Sequence, residues 1–316
     1  MEERIPAYMD ALDLEIHKVT HSTQQIYPVQ SIFFGGGTPS LIPVDRLEQT
    51  LAQIRDHFTL TPDVEKTLEA NPGTVSLDYL RRLHQAGFNR LSFGMQSARP
   101  DELRLLERQH TTFDVMDAVR WAREVGFDNL SLDLIFNLPF QTLTDWQQTV
   151  ETAISFHPDH LSLYALTIEE GTPLFRMRRR GLVAEPDDDL AADMYEWAGQ
   201  RLGEAGFEQY EISNWARRGK GGELLACRHN LQYWKDRPYF GFGAGAHAYL
   251  GEMRLANARG IKGYIQMVRD REAKFPVGPA MVVLGKITRQ GFLLDAKKFC
   301  HPVEESLPLD TVVQPG

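Results

Sequence analysis

Residues 129–136 read NLSLDLIF, a run in which Asn129, Ser131 and Asp133 alternate with Leu130, Leu132 and Leu134. Successive side chains of a β-strand point to opposite faces, so this segment carries one polar face and one apolar face. The same parity recurs outward along the chain. Glu65, Thr67, Glu69 and Asn71 share a side in VEKTLEANP, Ser92, Gly94 and Gln96 in RLSFGMQ, and His160, Ser162 and Tyr164 in HLSLYAL. A carboxylate buried in a strand must be paired or hydrogen-bonded, so Glu69, Gln96 and Asp133, all near strand C-terminal ends, ask for a ligand or for one another. A structural polar network inside a barrel meets that demand, and so does a binding site. Their shared place at strand C-terminal ends, where barrel and open-sheet sites lie, favours the site.

Apolar runs of strand length at 31–34, 64–70, 90–95, 129–136 and 160–166 alternate with amphipathic stretches of helix length at 44–58, 77–86, 113–125 and 143–156. Such alternation predicts an α/β fold with a parallel sheet and crossover helices, in a barrel or part of one. A doubly wound sheet shares the pattern. A helix over 5–19 opens the chain with no strand before it, which leaves either a capping helix or an absent first strand. After Leu166, TIEEGTPLF reads as a loop, 187–205 as a long helix and 207–213 as a further strand. The expected boundary lies near Glu170, with a barrel-like domain over 1–170 and an extension over 171–316 whose residues from Gly285 have weak periodicity.

The chain has 316 residues, 42% of them hydrophobic, and a formal net charge of -9, so it can bury a large core, and its charge gives no sign of a phosphate-binding surface. Nucleic acid is not an expected partner. The basic run RMRRR at 176–180 stops at Gly181 as a helix end would and reads as solvated. No stretch approaches the ~18 apolar residues of a membrane span. MEERIPAYMD lacks the basic start and apolar core of a signal peptide, which makes a cytoplasmic protein the expectation. Cys227 and Cys300 are the two cysteines, too few for a disulfide framework or for three thiolate ligands from this chain.

Residues 31–42, SIFFGGGTPSLI, end a strand-like run in Gly35, Gly36 and Gly37, followed by Thr38 and Pro39. Absent side chains let backbone groups approach a ligand closely and permit unusual φ values. A tight turn also explains such a run.

GGGTPS, EANP, LSFGMQS, LERQH, DLIFNLPFQT, LSLYALTIEEGTPL, QYEISNWA, CRHNLQYW and GFGAGAHAY occur in this order over roughly 8–264. Together they resemble the radical S-adenosylmethionine (SAM) group that contains oxygen-independent coproporphyrinogen III oxidase. CRHNLQYW is similar to the proposed heme-binding motif of its HemW-like, heme-chaperone branch. The resemblance implies a partial (β/α)6 barrel, here missing its first strand, with a C-terminal extension. It places S-adenosylmethionine across the strand C-termini, in contact with Gly36, Gly37, Thr38, Glu69, Gln96, Arg108 and Asp133. Arg108 suits the methionine carboxylate, and the acidic groups suit ribose hydroxyls or the ammonium.

The family also holds a [4Fe–4S] cluster through CxxxCxxC after the first strand, and that motif is absent here. A shortened N-terminus is expected to explain both absences; a paralogue without radical chemistry is the alternative. GPAMVVLGKITRQGF begins to resemble the family's helical C-terminal domain. His229 is the implied heme-iron ligand, with Asn230, Tyr233 and Trp234 completing HNLQYW and His247 in GAGAHAY a second candidate. A histidine beside aromatics is also a common structural element. The resemblance implies a HemW-like heme chaperone that binds heme and S-adenosylmethionine and serves heme-accepting proteins. The alternatives are a coproporphyrinogen III oxidase-like radical enzyme and an inactive cofactor-binding remnant.

Overall fold

The computed structural model describes residues 2–286 apart from 24–26 and 185. Cys300 and the weakly periodic tail beyond 286 lie outside the described residues. Helix α1 (Ile5–His21) is followed by β1 (Pro28–Phe34), α2 (Val44–His57), β2 (Thr59–Ala70), α3 (Leu77–Gln85) and β3 (Arg90–Gln96). Next come α4 (Pro100–Leu105), α5 (Thr112–Glu124), β4 (Leu130–Phe136), α6 (Leu143–Ser155) and β5 (His160–Ala165). Beyond these lie α7 (Pro173–Arg179), α8 (Asp188–Glu204), β6 (Glu208–Glu211), β7 (Asn214–Ala216) and α9 (Arg228–Trp234). β8 (His247–Leu250), β9 (Met253–Asn257), α10 (Ile261–Asp270) and β10 (Met281–Lys286) follow.

Two bodies result, one of residues 26–235 and one joining the first 25 residues to those from Asp236 onward. The position near Glu170 falls within the larger body, because β7 pairs antiparallel with β5 and β6 with β7, extending the same sheet. TIEEGTPLF is not all loop. Pro173 starts α7, and the Phe175 N–H donates to the Thr172 hydroxyl at 3.1 Å as an N-cap. The basic run closes that helix, and Gly181 follows with φ +69°. In GPAMVVLGK, Met281–Lys286 forms a strand paired with β9 rather than a helix, in keeping with its two β-branched valines.

The sheet of the larger body runs β1-β2-β3-β4-β5-β7-β6, with the first five strands parallel. In register, Glu69 lies opposite Ser92, Ser92 opposite Ser131, and Ser131 opposite His160, so the polar positions form rows across one face. On the other parity Leu68, Leu91, Phe93, Leu132, Leu134 and Leu161 have no exposed surface. Burial on both faces is the habit of parallel strands joined by crossover helices. Reciprocal capping boxes start two of those helices, Thr111 with Asp114 at α5 and Thr142 with Asp145 at α6.

The seven-residue α9, about 10 Å long at ~1.5 Å per residue, touches both edge strands. His229 Nδ1 lies 3.2 Å from Ser31 Oγ on β1, and Asn230 Nδ2 donates to Tyr210 Oη on β6 at 3.5 Å. Six strand spacings of about 4.8 Å would hold those edges roughly 29 Å apart in a flat sheet. The sheet is therefore rolled into a half-barrel around α9, with its polar face inward.

In the smaller body, Ala11 of α1 packs with Tyr264 and Val268 of α10, and β10, β9 and β8 form an antiparallel sheet. The fully buried Glu15 carboxylate accepts from Gly243 N–H at 2.8 Å, Asn257 Nδ2 at 2.8 Å and Tyr264 OH at 2.7 Å.

Candidate functional site

The glycine run leaves the C-terminal end of β1. Gly36 and Gly37 have φ of +83° and +66°, where a side chain is strained. Gly36 N–H donates to Glu69 Oε2 at 2.9 Å, and Asn71 N–H donates to Ser40 Oγ at 3.1 Å, tying GGGTPS to EANP. Thr38 is half-buried in the same loop, next to Gly37.

Asp133 sits on the polar face of β4. Ser92 Oγ lies 3.0 Å from each of its carboxylate oxygens, and Ser131 Oγ donates at 3.4 Å. Burial pushes Asp133 above its ordinary range, and burial also raises Glu69, with the Asp133 charge adding to the effect. Two carboxyl groups held short of easy ionisation would be relieved by a cation or by hydroxyl donors. Gln96 reaches the end of β3 by a route parity alone does not show. Its φ is +65°, the β3–β4 register shifts between Phe93 and Gln96, and its side chain folds back over Gly94.

Arg108 lies on the loop after α4 with an exposed side chain that contacts none of these groups among the described residues. Its loop is pinned to β3 by His110, whose Nε2 lies 3.1 Å from the Met95 carbonyl. The structure thus joins Gly36 to Glu69 directly, puts Glu69 and Asp133 on the same face of the sheet, and sets Gly37 and Thr38 in the same loop. Gln96 stands at the end of the neighbouring strand, and Arg108 remains apart.

Further back along β1 and β2 from the glycine loop, at Ser31 and Glu65, α9 meets the polar face. Glu65 accepts from Arg228 N–H and His229 N–H, both at 3.0 Å, and from the Cys227 thiol at 3.5 Å. The His229 ring stacks on Phe33, its Nε2 lies 2.8 Å from Tyr233 Oη, and Gln232 Nε2 donates to its Nδ1 at 3.1 Å. Burial, with the Arg90 charge adding, lowers His229 to about 4, so the ring is neutral near pH 7. Tyr233 and Trp234 are 44% and 54% exposed. His247 lies in the smaller body, exposed at the start of β8.

A line of hydrogen bonds links Asp133 to α9. It runs from Asp133 through Ser131 to His160 Nδ1 at 2.8 Å, then from His160 Nε2 to Tyr210 Oη at 2.8 Å and on to Asn230. Glu65, Arg90 and Tyr210 have no place among the residues singled out from motifs. An arginine opening an apolar strand, as Arg90 does in RLSF, is the signal that points to a buried charge.

Glu69, Asp133 and the exposed backbone of Gly36 and Gly37 fit the ammonium and hydroxyl groups of S-adenosylmethionine. The cysteines do not fit a [4Fe–4S] cluster, which takes several thiolates. Cys227 is buried, and burial pushes its thiol up to about 11. For heme iron, His229 offers a neutral imidazole whose two nitrogens already have partners.

A profile of the Radical SAM superfamily matches residues 7–153. The heme chaperone HemW of Mycobacterium tuberculosis (strain ATCC 25618 / H37Rv) is 42% identical over 240 residues, which cover 76% of this chain and 60% of that protein. HemW of Bacillus subtilis (strain 168) is 37% identical over 268 residues, 84% of this chain and 69% of that protein. Among solved structures, coproporphyrinogen III oxidase (HemN) from Escherichia coli matches with a TM-score of 0.73 at 24% identity. The match covers 90% of this chain and 66% of that one, and bears on the fold alone. The chain spans about 60% of the length of the mycobacterial relatives. With the superfamily profile over its first half and a bacterial HemW matched across more than two thirds of its length, the chain belongs to the HemW family of radical SAM proteins.

Proposed function

We propose that this protein is a HemW-like heme chaperone that takes heme at α9 and S-adenosylmethionine at the strand C-terminal ends of the half-barrel. The observation that carries the reading is the form of CRHNLQYW. One short helix presents a neutral imidazole beside Tyr233 and Trp234, both largely exposed. Neutral imidazole is a good ligand for heme iron, and exposed aromatic rings suit a porphyrin face.

Ligation through Nε2 requires the Tyr233 hydroxyl to leave that nitrogen, Nδ1 to carry the proton, and the Gln232 amide N–H to turn away from Nδ1. Ser31 Oγ, 3.2 Å away, is placed to accept that Nδ1–H and hold the ring. At the strand C-terminal ends, Gly36, Gly37 and Thr38 cradle the methionine part, Glu69 and Asp133 accept from its ammonium and the ribose hydroxyls, and Gln96 adds an amide. Arg108 is the partner for the carboxylate. Reductive cleavage of S-adenosylmethionine needs cluster thiolates that these residues do not include, so the reading concerns binding and delivery. Heme-accepting proteins are the partners, in the cytoplasm. No described helix is long and apolar enough to cross a membrane.

The test is a heme titration of the full chain followed by its Soret band. His229→Ala is expected to abolish the band, and an unchanged band removes the assignment of His229. Calorimetry with S-adenosylmethionine is the parallel test, and Asp133→Ala with unaltered affinity removes the second site.

A further inference from the structure

The α9 helix is too short to hold itself. Isolated helices under about 12–15 residues are marginal in water, and Cys227 at its N-cap position makes no side-chain cap. The missing cap comes from 163 residues away. Glu65, 7% exposed on β2, accepts Arg228 N–H through Oε2 and His229 N–H through Oε1, each at 3.0 Å. Ser31 faces Glu65 in the β1–β2 register, and its hydroxyl lies 3.2 Å from Nδ1 of the same histidine. One pair of strands therefore grips both the backbone and the ring of His229.

The carboxylate also has a buried counter-charge. Arg90, on the next strand, is 2% exposed, and its Nε has no hydrogen-bond partner among the described residues. Burial works against the guanidinium charge, and Glu65, two residues before the Thr67 that pairs with Arg90 across the β2–β3 register, is among the acidic groups that favour it.

We infer that Glu65 is the positioning residue of the HNLQYW segment, fixing the backbone of α9 so that His229 meets Ser31 and Phe33 in one orientation, with Arg90 as its counter-charge. This rests on the reading of α9 as the heme site. A glutamine at position 65 keeps the size but turns one acceptor into a donor facing a backbone N–H. An aspartate keeps the charge on a side chain shorter by one methylene.

The experiment compares the full-length wild type with Glu65→Gln and Glu65→Asp. It records the ring ¹⁵N signals of His229 without heme and then the heme titration, with the indole signals of buried Trp146 and Trp215 as the check on folding. In Glu65→Gln the His229 signals are expected to move toward those of a solvated histidine, and half-saturation to rise about tenfold, as for loss of a charged hydrogen bond. Glu65→Asp, which keeps the charge but falls one methylene short of the two N–H groups, is expected to shift the His229 signals and raise half-saturation in the same direction, by less than Glu65→Gln. A folded Glu65→Gln with wild-type His229 signals and wild-type half-saturation overturns the inference. Should Glu65→Gln fail to fold, Glu65→Asp decides: displaced His229 signals with weakened heme binding support the role, and wild-type behaviour overturns it. A wild type that takes no heme defeats the heme reading, while the ring signals still decide whether Glu65 positions His229.

Discussion

The imidazole of His229 stacks on the phenyl ring of Phe33, with centroids 4.9 Å apart and planes 18° from parallel. The same phenyl ring fills the space a side chain on Gly35 would need, since an added Cβ would fall 2.5 Å from Phe33 Cε1. One aromatic ring thus stands between the α9 histidine and the glycine loop. Gly35→Ala is expected to push Phe33 against His229, costing about 1–3 kcal/mol as overpacking, and to move the His229 ring signals. At Gly36 an added Cβ meets nothing within 4 Å, so Gly36→Ala carries only the strain of φ +83°, about 1–2 kcal/mol. Urea unfolding and histidine NMR on both variants check this, and equal displacement of His229 by the two would refute it.

Asp133→Asn is expected to stabilise the protein at neutral pH while weakening S-adenosylmethionine binding. Burial raises the folded-state pKa of Asp133, so ionising it opposes folding. That penalty is absent below the ordinary carboxylate range and grows as pH rises through the raised value. The stability advantage of the variant should therefore be largest near pH 7 and vanish toward pH 3.8, the ordinary value. Denaturant midpoints across that range measure it. A less stable variant at pH 7 would mean that the surrounding serine hydroxyls more than repay the buried charge.

His229 should titrate near 4 rather than near 6.5 in the heme-free protein. Its folded pKa is depressed, so the stability this ring contributes is complete above 6.5 and is lost as pH falls through about 4. Histidine NMR against pH reads the midpoint directly. A midpoint near 6.5 would place the ring in water and remove the stack on Phe33.

Glu15→Ala is expected to destabilise the smaller body. It leaves the Gly243 N–H and the Tyr264 hydroxyl without their acceptor, at about 1–3 kcal/mol for each buried orphan. Hydrogen exchange should speed up in β8, β9 and α10, while the leucines of the half-barrel sheet keep their protection. Uniform acceleration across the chain would show that the two bodies unfold as one.

Much of the half-barrel is readable from spacing. The alternation of apolar runs and amphipathic segments placed five parallel strands and their helices within a few residues, because both periods are local properties of the chain. Strand parity also put Glu69 and Asp133 on one face, and the register does the same. Parity was a poorer guide to Gln96, whose left-handed backbone interrupts the strand, and to Asn71, whose side chain accepts from Gly73 N–H to cap a turn. Those departures depend on single backbone angles that no period encodes.

Sequence by itself determined which residue types stand at each strand end, the polar stripe they form, and the motifs that carry the family resemblance. Tertiary structure alone decided where HNLQYW goes. The motif lies far along the chain from Ser31, Phe33 and Glu65, yet it packs between both edges of the sheet and joins Asp133 through Ser131, His160 and Tyr210. Those contacts arise only when the sheet rolls closed, because a seven-residue helix cannot span the edges of a flat one.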